Sequence, residues 1–265
     1  METPDITVND AAIEIAGLTV KFGGRVAVRE VSLSIPGRSL TVVIGPSGSG
    51  KTTLLRSVNR LNECFPGCSM DGTVRIRLGD RWVDAYRDKQ PVTELRRRVG
   101  MVFQTPNVLP CSIEKNLTLP LYRVRGISKR DAPAHVERAL RDVGLWEEVH
   151  DRLSHAATTL SGGQQQRLCL ARTLVLDPEV LLLDEPTSSL DFRSARSIEQ
   201  LLLDLRERYT IVAVSHSLGQ TRRLADRVVV LSDGGVAKRL TREDLRDPAT
   251  FQPLLEDVFQ TRRPA

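Results

Sequence analysis

Apolar and polar positions alternate along the first third of the chain. Ile13-Glu14-Ile15 and Leu18-Thr19-Val20-Lys21-Phe22 lead into a Gly23-Gly24 turn. Val26-Ala27-Val28 and Val31-Ser32-Leu33-Ser34-Ile35 follow with the two-residue period of half-buried strands. After a Pro36-Gly37 turn, Leu40-Thr41-Val42-Val43-Ile44 is nearly continuous and β-branched, which predicts a strand buried on both faces. A glycine-rich loop and a helix over residues 51–62 come next, then strands over 73–78 and 99–103. Residues 105–160 are more polar and read as helical, with Val136, Leu140 and Val143 on one face. A helix over 164–176, a buried strand over 180–183 and a helix carrying Ile198, Leu201, Leu202 and Leu205 continue the pattern. Strands over 210–214 and 227–231 complete it. Alternation of strands and helices predicts an α/β core with a mainly parallel sheet, into which the helical stretch is inserted as a subdomain. Arg96-Arg97-Arg98 reads either as a basic binding patch or as the solvated end of a helix leading into the Val99 strand.

Composition narrows the class without naming a function. The chain has 265 residues, enough for a sizeable core, and its 40% hydrophobic and 27% charged residues are ordinary for a globular domain. An excess of 38 Lys and Arg over 33 Asp and Glu permits anionic partners without demanding nucleic acid. No stretch reaches the roughly 18 to 20 apolar residues that span a bilayer. Residues 1–10 are acidic and polar, so no signal peptide is expected. Four cysteines are too few for a disulfide framework in a chain this long. Cys64 and Cys68 read as free thiols or as half of a metal site.

Gly45-Pro46-Ser47-Gly48-Ser49-Gly50-Lys51-Thr52 fits the phosphate loop G-x-x-x-x-G-K-[ST], between a predicted β-branched strand and a predicted helix. Glycines let backbone N–H groups curl around phosphate oxygens, and the following helix adds its positive end. Lys51 would reach the β- and γ-phosphates, and the Thr52 hydroxyl would ligate Mg²⁺. The apolar run 180–183 ends in Asp184-Glu185. A carboxylate at that strand end can hold Mg²⁺ beside the phosphate loop. Glu185 stands where a carboxylate can orient or deprotonate an attacking water. Leu160-Ser161-Gly162-Gly163-Gln164 is a second glycine-bearing turn opening a helix, hence a second anion site.

With this last segment the sequence resembles the ATP-binding-cassette ATPases, whose L-S-G-G-Q signature stands unaltered at residues 160–164. Gln104 matches that family's glutamine loop, which touches Mg²⁺ and senses the γ-phosphate. Ser189-Leu190-Asp191 matches its S-A-L-D segment and His216 its switch histidine. Phe22 falls at the aromatic that stacks on adenine, where the family more often has Tyr; a core position is the other reading of Phe22. His135, His150 and His155 match nothing and read as surface.

The resemblance implies a phosphate-loop NTPase core with an N-terminal antiparallel β subdomain, and a helical subdomain over residues 105–162, all in one domain. Residues 241–265 form a tail without an assigned role. It further implies that residues Gly45, Pro46, Ser47, Gly48, Ser49, Gly50, Lys51, Thr52 and Thr53 cradle ATP. Thr52, Gln104 and Asp184 would hold Mg²⁺, and Lys51, Gln104, Glu185 and His216 would act in hydrolysis. A second copy of the chain would present Ser161, Gly162, Gly163 and Gln164 to that nucleotide, with Asp191 at the same interface. The implied partners are transmembrane permease subunits, met near Gln104 and residues 105–113, and a periplasmic or extracellular substrate-binding protein, but no nucleic acid. The implied place is the cytoplasmic face of the cell membrane. Residues 105–113 suit a docking surface or a buried loop equally.

Asn59-Arg60-Leu61-Asn62 leading to Phe65-Pro66-Gly67, with Gln164-Gln165-Gln166-Arg167-Leu168-Cys169, resembles the phosphate-import branch. Val108-Leu109 and residues 116–121 depart from it. Inorganic phosphate is therefore the expected cargo, with a polar amino acid or another small anion as the alternative. A non-transport cassette ATPase would usually carry two cassettes or a long coiled-coil insertion. A phosphate-loop kinase would not need the segment 160–164.

Overall fold

The computed structural model describes residues 10–247. Two long strands, β1 (Ala11–Phe22) and β2 (Arg25–Pro36), form an antiparallel ribbon around the Gly23-Gly24 turn. Each runs through a stretch where the sequence pattern shows two shorter segments. Register shifts near Leu18 absorb the break in alternation. β3 (Leu40–Ile44) follows, then α1 (Lys51–Val58), β4 (Cys68–Leu78), β5 (Arg81–Asp84), α2 (Val92–Arg98) and β6 (Val99–Val102). The β subdomain is the antiparallel sheet β2-β1-β4-β5.

Between β6 and the next strand the chain is helical: α3 (Ile113–Pro120), α4 (Ala132–Asp142), α5 (Trp146–Val149) and α6 (Gly162–Leu174). The core then resumes with β7 (Val180–Asp184), α7 (Phe192–Leu205), β8 (Thr210–Val214), α8 (Leu218–Leu224), β9 (Arg227–Ser232), β10 (Gly235–Thr241) and α9 (Arg242–Arg246). Residue 241 and α9 open the predicted tail; residues 248–265 lie outside the described residues.

The second sheet has the order β10-β9-β3-β8-β7-β6, parallel throughout except for β10 at its edge. Its central strands β3, β7 and β8 are buried at every residue, as a sheet covered on both faces requires. Alternate residues feed two cores. Leu40, Val42, Ile44, Leu181, Leu183, Ile211 and Ala213 face the core that contains the buried helical residues Leu117, Leu140 and Leu168. Val43, Val180, Leu182, Val212 and Val214 face the core shared with α1 and the β subdomain. Each such Leu or Val contributes roughly 1.5–3 kcal/mol by leaving water. The sheet is thus a fixed floor, and the loops at its carboxyl ends carry the chemistry-bearing residues, the usual ligand position in an open parallel sheet.

The triple-arginine run is structural. Arg96 donates to the carbonyls of Asn59 and Arg60, Arg97 pairs with Glu94 at 2.7 Å, and Arg98 Nε lies 2.6 Å from Glu179. All four cysteines are free, and among the described residues no cluster of three or more His, Cys, Asp or Glu could hold a metal. The half-site reading of Cys64 and Cys68 therefore has no partners there. His150 and His155 are exposed as expected, whereas His135 is half-buried.

Candidate active site

The phosphate loop joins the end of β3 to α1, and its shape depends on glycine. Gly50 has φ of 95°, and a Cβ built there would lie 2.3 Å from the Ala27 carbonyl oxygen of β2. A side chain at this position meets both a disfavoured backbone region and a rigid wall. Gly50→Ala is expected to leave the fold intact and weaken ATP binding at least about tenfold, or 1.4 kcal/mol, as calorimetry would read it. Unchanged affinity would mean that the loop relaxes freely.

Lys51 is 5% exposed, and its Nζ donates to the carbonyls of Gly45 and Pro46 at 3.0 and 2.8 Å. Burial lowers its pKa, and the nearby Glu185 and Asp184 carboxylates oppose that shift. The Ser49 hydroxyl is buried with no hydrogen-bond partner among the described residues. A loop holding a buried cation, an unpaired hydroxyl and an opening helix fits a phosphate chain.

β7 delivers Asp184 beside this loop. Its Oδ1 accepts from the Thr52 hydroxyl at 2.9 Å, and its Oδ2 lies 3.7 Å from Arg56. A hydroxyl and a carboxylate in contact form a hard-oxygen pair, the donor chemistry that Mg²⁺ takes while keeping waters and nucleotide oxygens as its other ligands.

Glu185 follows with φ of 48°, a left-handed conformation that costs a non-glycine residue energy and collects at functional sites. The turn is pinned because Glu185 N–H donates to Val214 O and its carbonyl accepts from the Ser188 hydroxyl. The result aims the side chain into a cleft of about 280 Å³ lined by Glu185, Ser188, His216 and Ser217. His216 Nε2 lies 2.6 Å from Glu185 Oε1, and Gln104 Nε2 lies 3.3 Å from Oε2. β6, β7 and β8 are neighbours in the sheet, so residues just beyond their carboxyl ends converge on one carboxylate.

The remaining predicted residues form a separate group. Ser161 caps α6 in a reciprocal box: its hydroxyl accepts from Gln164 N–H, and Gln164 Oε1 accepts from Ser161 N–H at 2.9 Å. The S-x-x-Q spacing is a helix-start signal that places the start at Gly162, before the predicted residue 164. A Cβ on Gly163 would fall 2.6 Å from the Ser194 hydroxyl of α7, so this glycine lets two helix starts approach. Asp191 caps α7, accepting from Arg193 N–H, Ser194 N–H and the Ser194 hydroxyl, and these bonds hold its carboxyl below the usual range. Among the described residues, no hydrogen bond of Ser161 or Gln164 reaches residues 45–53. Within one chain the signature turn and the phosphate loop are not joined.

Phe22 is half-buried and packs against the β-subdomain core, as its core reading expects. Sequence reasoning missed the Phe65 ring beside it and the Arg56 guanidinium over that ring. The Phe65 ring meets Phe22 edge to face at 6.2 Å and is 43% exposed, and the Arg56 guanidinium lies 5.1 Å above Phe65. The Phe65-Pro66-Gly67 turn was a signal for an aromatic held at a surface bend. The loop 105–113 divides: Ile113 is fully buried, Val108 packs on the core, and Leu109 is 36% exposed with Phe103 just before the loop at 39%.

Residues 28–188 match the ABC transporter family. The chain belongs to that family. A relative from Thermotoga maritima, the phosphate import ATP-binding protein PstB, is 46% identical over 84% of this chain and 87% of its own length. The ATP-binding cassette MJ0796, solved as a dimer bound to ADP and Pi, superposes with a TM-score of 0.72 at 31% identity, over 87% of this chain and 98% of its own. Clostridium perfringens cbiO1, part of the ABC transporter complex cbiONQ, shares the fold with a TM-score of 0.77 at 23% identity, over 93% and 95% of the two chains. This cassette accordingly has the expected architecture of antiparallel β subdomain, mainly parallel sheet and helical insertion. It is an ATP-binding ABC transporter ATPase.

Proposed function

We propose that this cassette is the energy-coupling subunit of an importer of inorganic phosphate, working as a head-to-tail pair on the cytoplasmic face of the membrane. The observation that carries the hydrolytic reading is the convergence of His216 and Gln104 on the strained Glu185, next to the Thr52–Asp184 pair. The likeness to a phosphate import ATP-binding protein along most of both chains supports the cargo.

The loop N–H groups and Lys51 bind and orient the β- and γ-phosphates. Thr52 and Asp184, in contact at 2.9 Å, would hold Mg²⁺ with Gln104, and the ion would supply charge neutralisation at the phosphates. Glu185 takes the proton of the attacking water, and His216 holds water and γ-phosphate in line. Phe22 stacks on the adenine. A second copy presents Ser161, Gly163 and the start of α6, donors aimed at charge on the phosphate that its own chain cannot reach. Asp191, beside Gly163 through Ser194, lies at the same interface. The exposed Phe103 and Leu109 beside the Gln104 loop supply the apolar surface for the permease subunits. An external phosphate-binding protein delivers the cargo.

The test is uptake in vesicles that contain this chain with its permease subunits and the external binding protein. ATP on the cassette side is expected to drive accumulation of labelled phosphate, and glutamate or sulfate is not. ATP-driven uptake of either of those in place of phosphate would contradict the cargo.

A further inference from the structure

The segment that carries Gln104 belongs to no helix or strand from residue 103 to the start of α3, and most of it is exposed. Two side chains of α6 hold it. Gln166 Nε2 donates to Phe103 O at 3.2 Å, and Arg172 Nη2 donates to Asn107 O at 2.6 Å. Arg172 also reaches Asn116 Oδ1 at 3.3 Å, and the fully buried Asn116 brackets Leu109 through both its N–H and its carbonyl. α6 is the helix that Ser161 opens, so the signature turn and the Gln104 loop share one rigid element.

Gln166 is the informative member. It is 2% exposed, and its Oε1 is buried with no partner among the described residues. An apolar side chain of the same size would fill this space and remove the unpaired Oε1, so what the amide adds is its donor. Among the described residues, the amide's hydrogen bond is the one to the residue that precedes Gln104. The next carbonyl, that of Gln104 itself, faces the Ser189 hydroxyl at 3.5 Å. The Gln104 side chain then meets Glu185.

The geometry points to Gln166 as a positioning residue: through Phe103 O it fixes Gln104 relative to α6. A shift of the signature turn against a partner's nucleotide is thereby passed to the chain's own Glu185. This rests on the head-to-tail reading above. Gln166 touches no reacting group, so its effect must run through Gln104.

The experiment compares Gln166→Met, which keeps the unbranched shape and removes the donor, with Gln104→Ala and the double variant. Gln166→Met is expected to lower kcat about fivefold, the value of one hydrogen bond, with KM for ATP unchanged. Amide exchange of residues 103–110 is expected to quicken several-fold. On the Gln104→Ala background the same change is expected to cost nothing further, because coupled residues do not add. Parent-like kcat, unchanged exchange, or losses that multiply in the double variant would each overturn the inference while leaving the proposed function standing. A parent protein that hydrolyses no ATP would defeat both.

Discussion

Glu185→Gln is expected to bind ATP as the parent does and to hydrolyse it at least about 10²-fold more slowly, the usual cost of losing a general base. The amide matches the carboxylate in size, so the cleft and the pinned turn at φ 48° keep their shape. One oxygen remains to meet His216 or Gln104, and what disappears is the charge that accepts a proton. Binding is expected to be spared because the proposed phosphate contacts come from the loop N–H groups and Lys51, not from Glu185. Nucleotide binding by calorimetry and phosphate release by a coupled assay check the two halves separately. Hydrolysis near the parent rate would remove Glu185 from the mechanism.

Ser161→Arg is expected to abolish ATP-driven dimerisation while leaving the affinity of the single chain for ATP largely intact. Ser161 is exposed, and its hydrogen bonds are confined to the start of its own helix, away from residues 45–53. Loss of the cap costs helix α6 about 1 kcal/mol, small against a core that spans both sides of the sheet. The larger expected effect is steric and electrostatic, since a long cation would stand where the proposed pair brings a hydroxyl to the γ-phosphate. Sedimentation with and without ATP reads the loss.

Much of this was legible in the sequence, and the reason is burial. β3, β7 and β8 are covered on both faces, so their residues form nearly continuous apolar runs. β10 was not legible: it pairs only with β9 at the sheet edge and mixes Lys238 and Arg239 with apolar residues. β5 is half-exposed along its length, and α8 is too short to show a helical period. The predicted helix 51–62 overshoots because the apolar spacing continues through Leu61. The chain instead turns at Arg60, with φ of 62°, and its conformation is held by Glu63 and by Arg96 from a distant helix. Within the site, the phosphate loop and Asp184-Glu185 were readable because their chemistry demands fixed spacing. Arg56 and Phe65 were not: Arg56 meets Asp184 only when α1 lies beside β7, and Phe65 meets Phe22 only when β4 returns beside β1.

In the proposed head-to-tail pair, each nucleotide is closed in by two chains. Ser161→Arg and Lys51→Ala, each in the Glu185→Gln background, put their defects on opposite sides of such a site. A mixed pair contains one site with both defects and one with neither. Size-exclusion chromatography with ATP measures this directly. Each variant alone is expected to elute as a monomer, and the mixture is expected to show a trapped heterodimer that disappears without ATP. A Ser161→Arg chain that dimerises alone as well as its parent, or a mixture that stays monomeric while the Glu185→Gln parent dimerises, would contradict the head-to-tail arrangement.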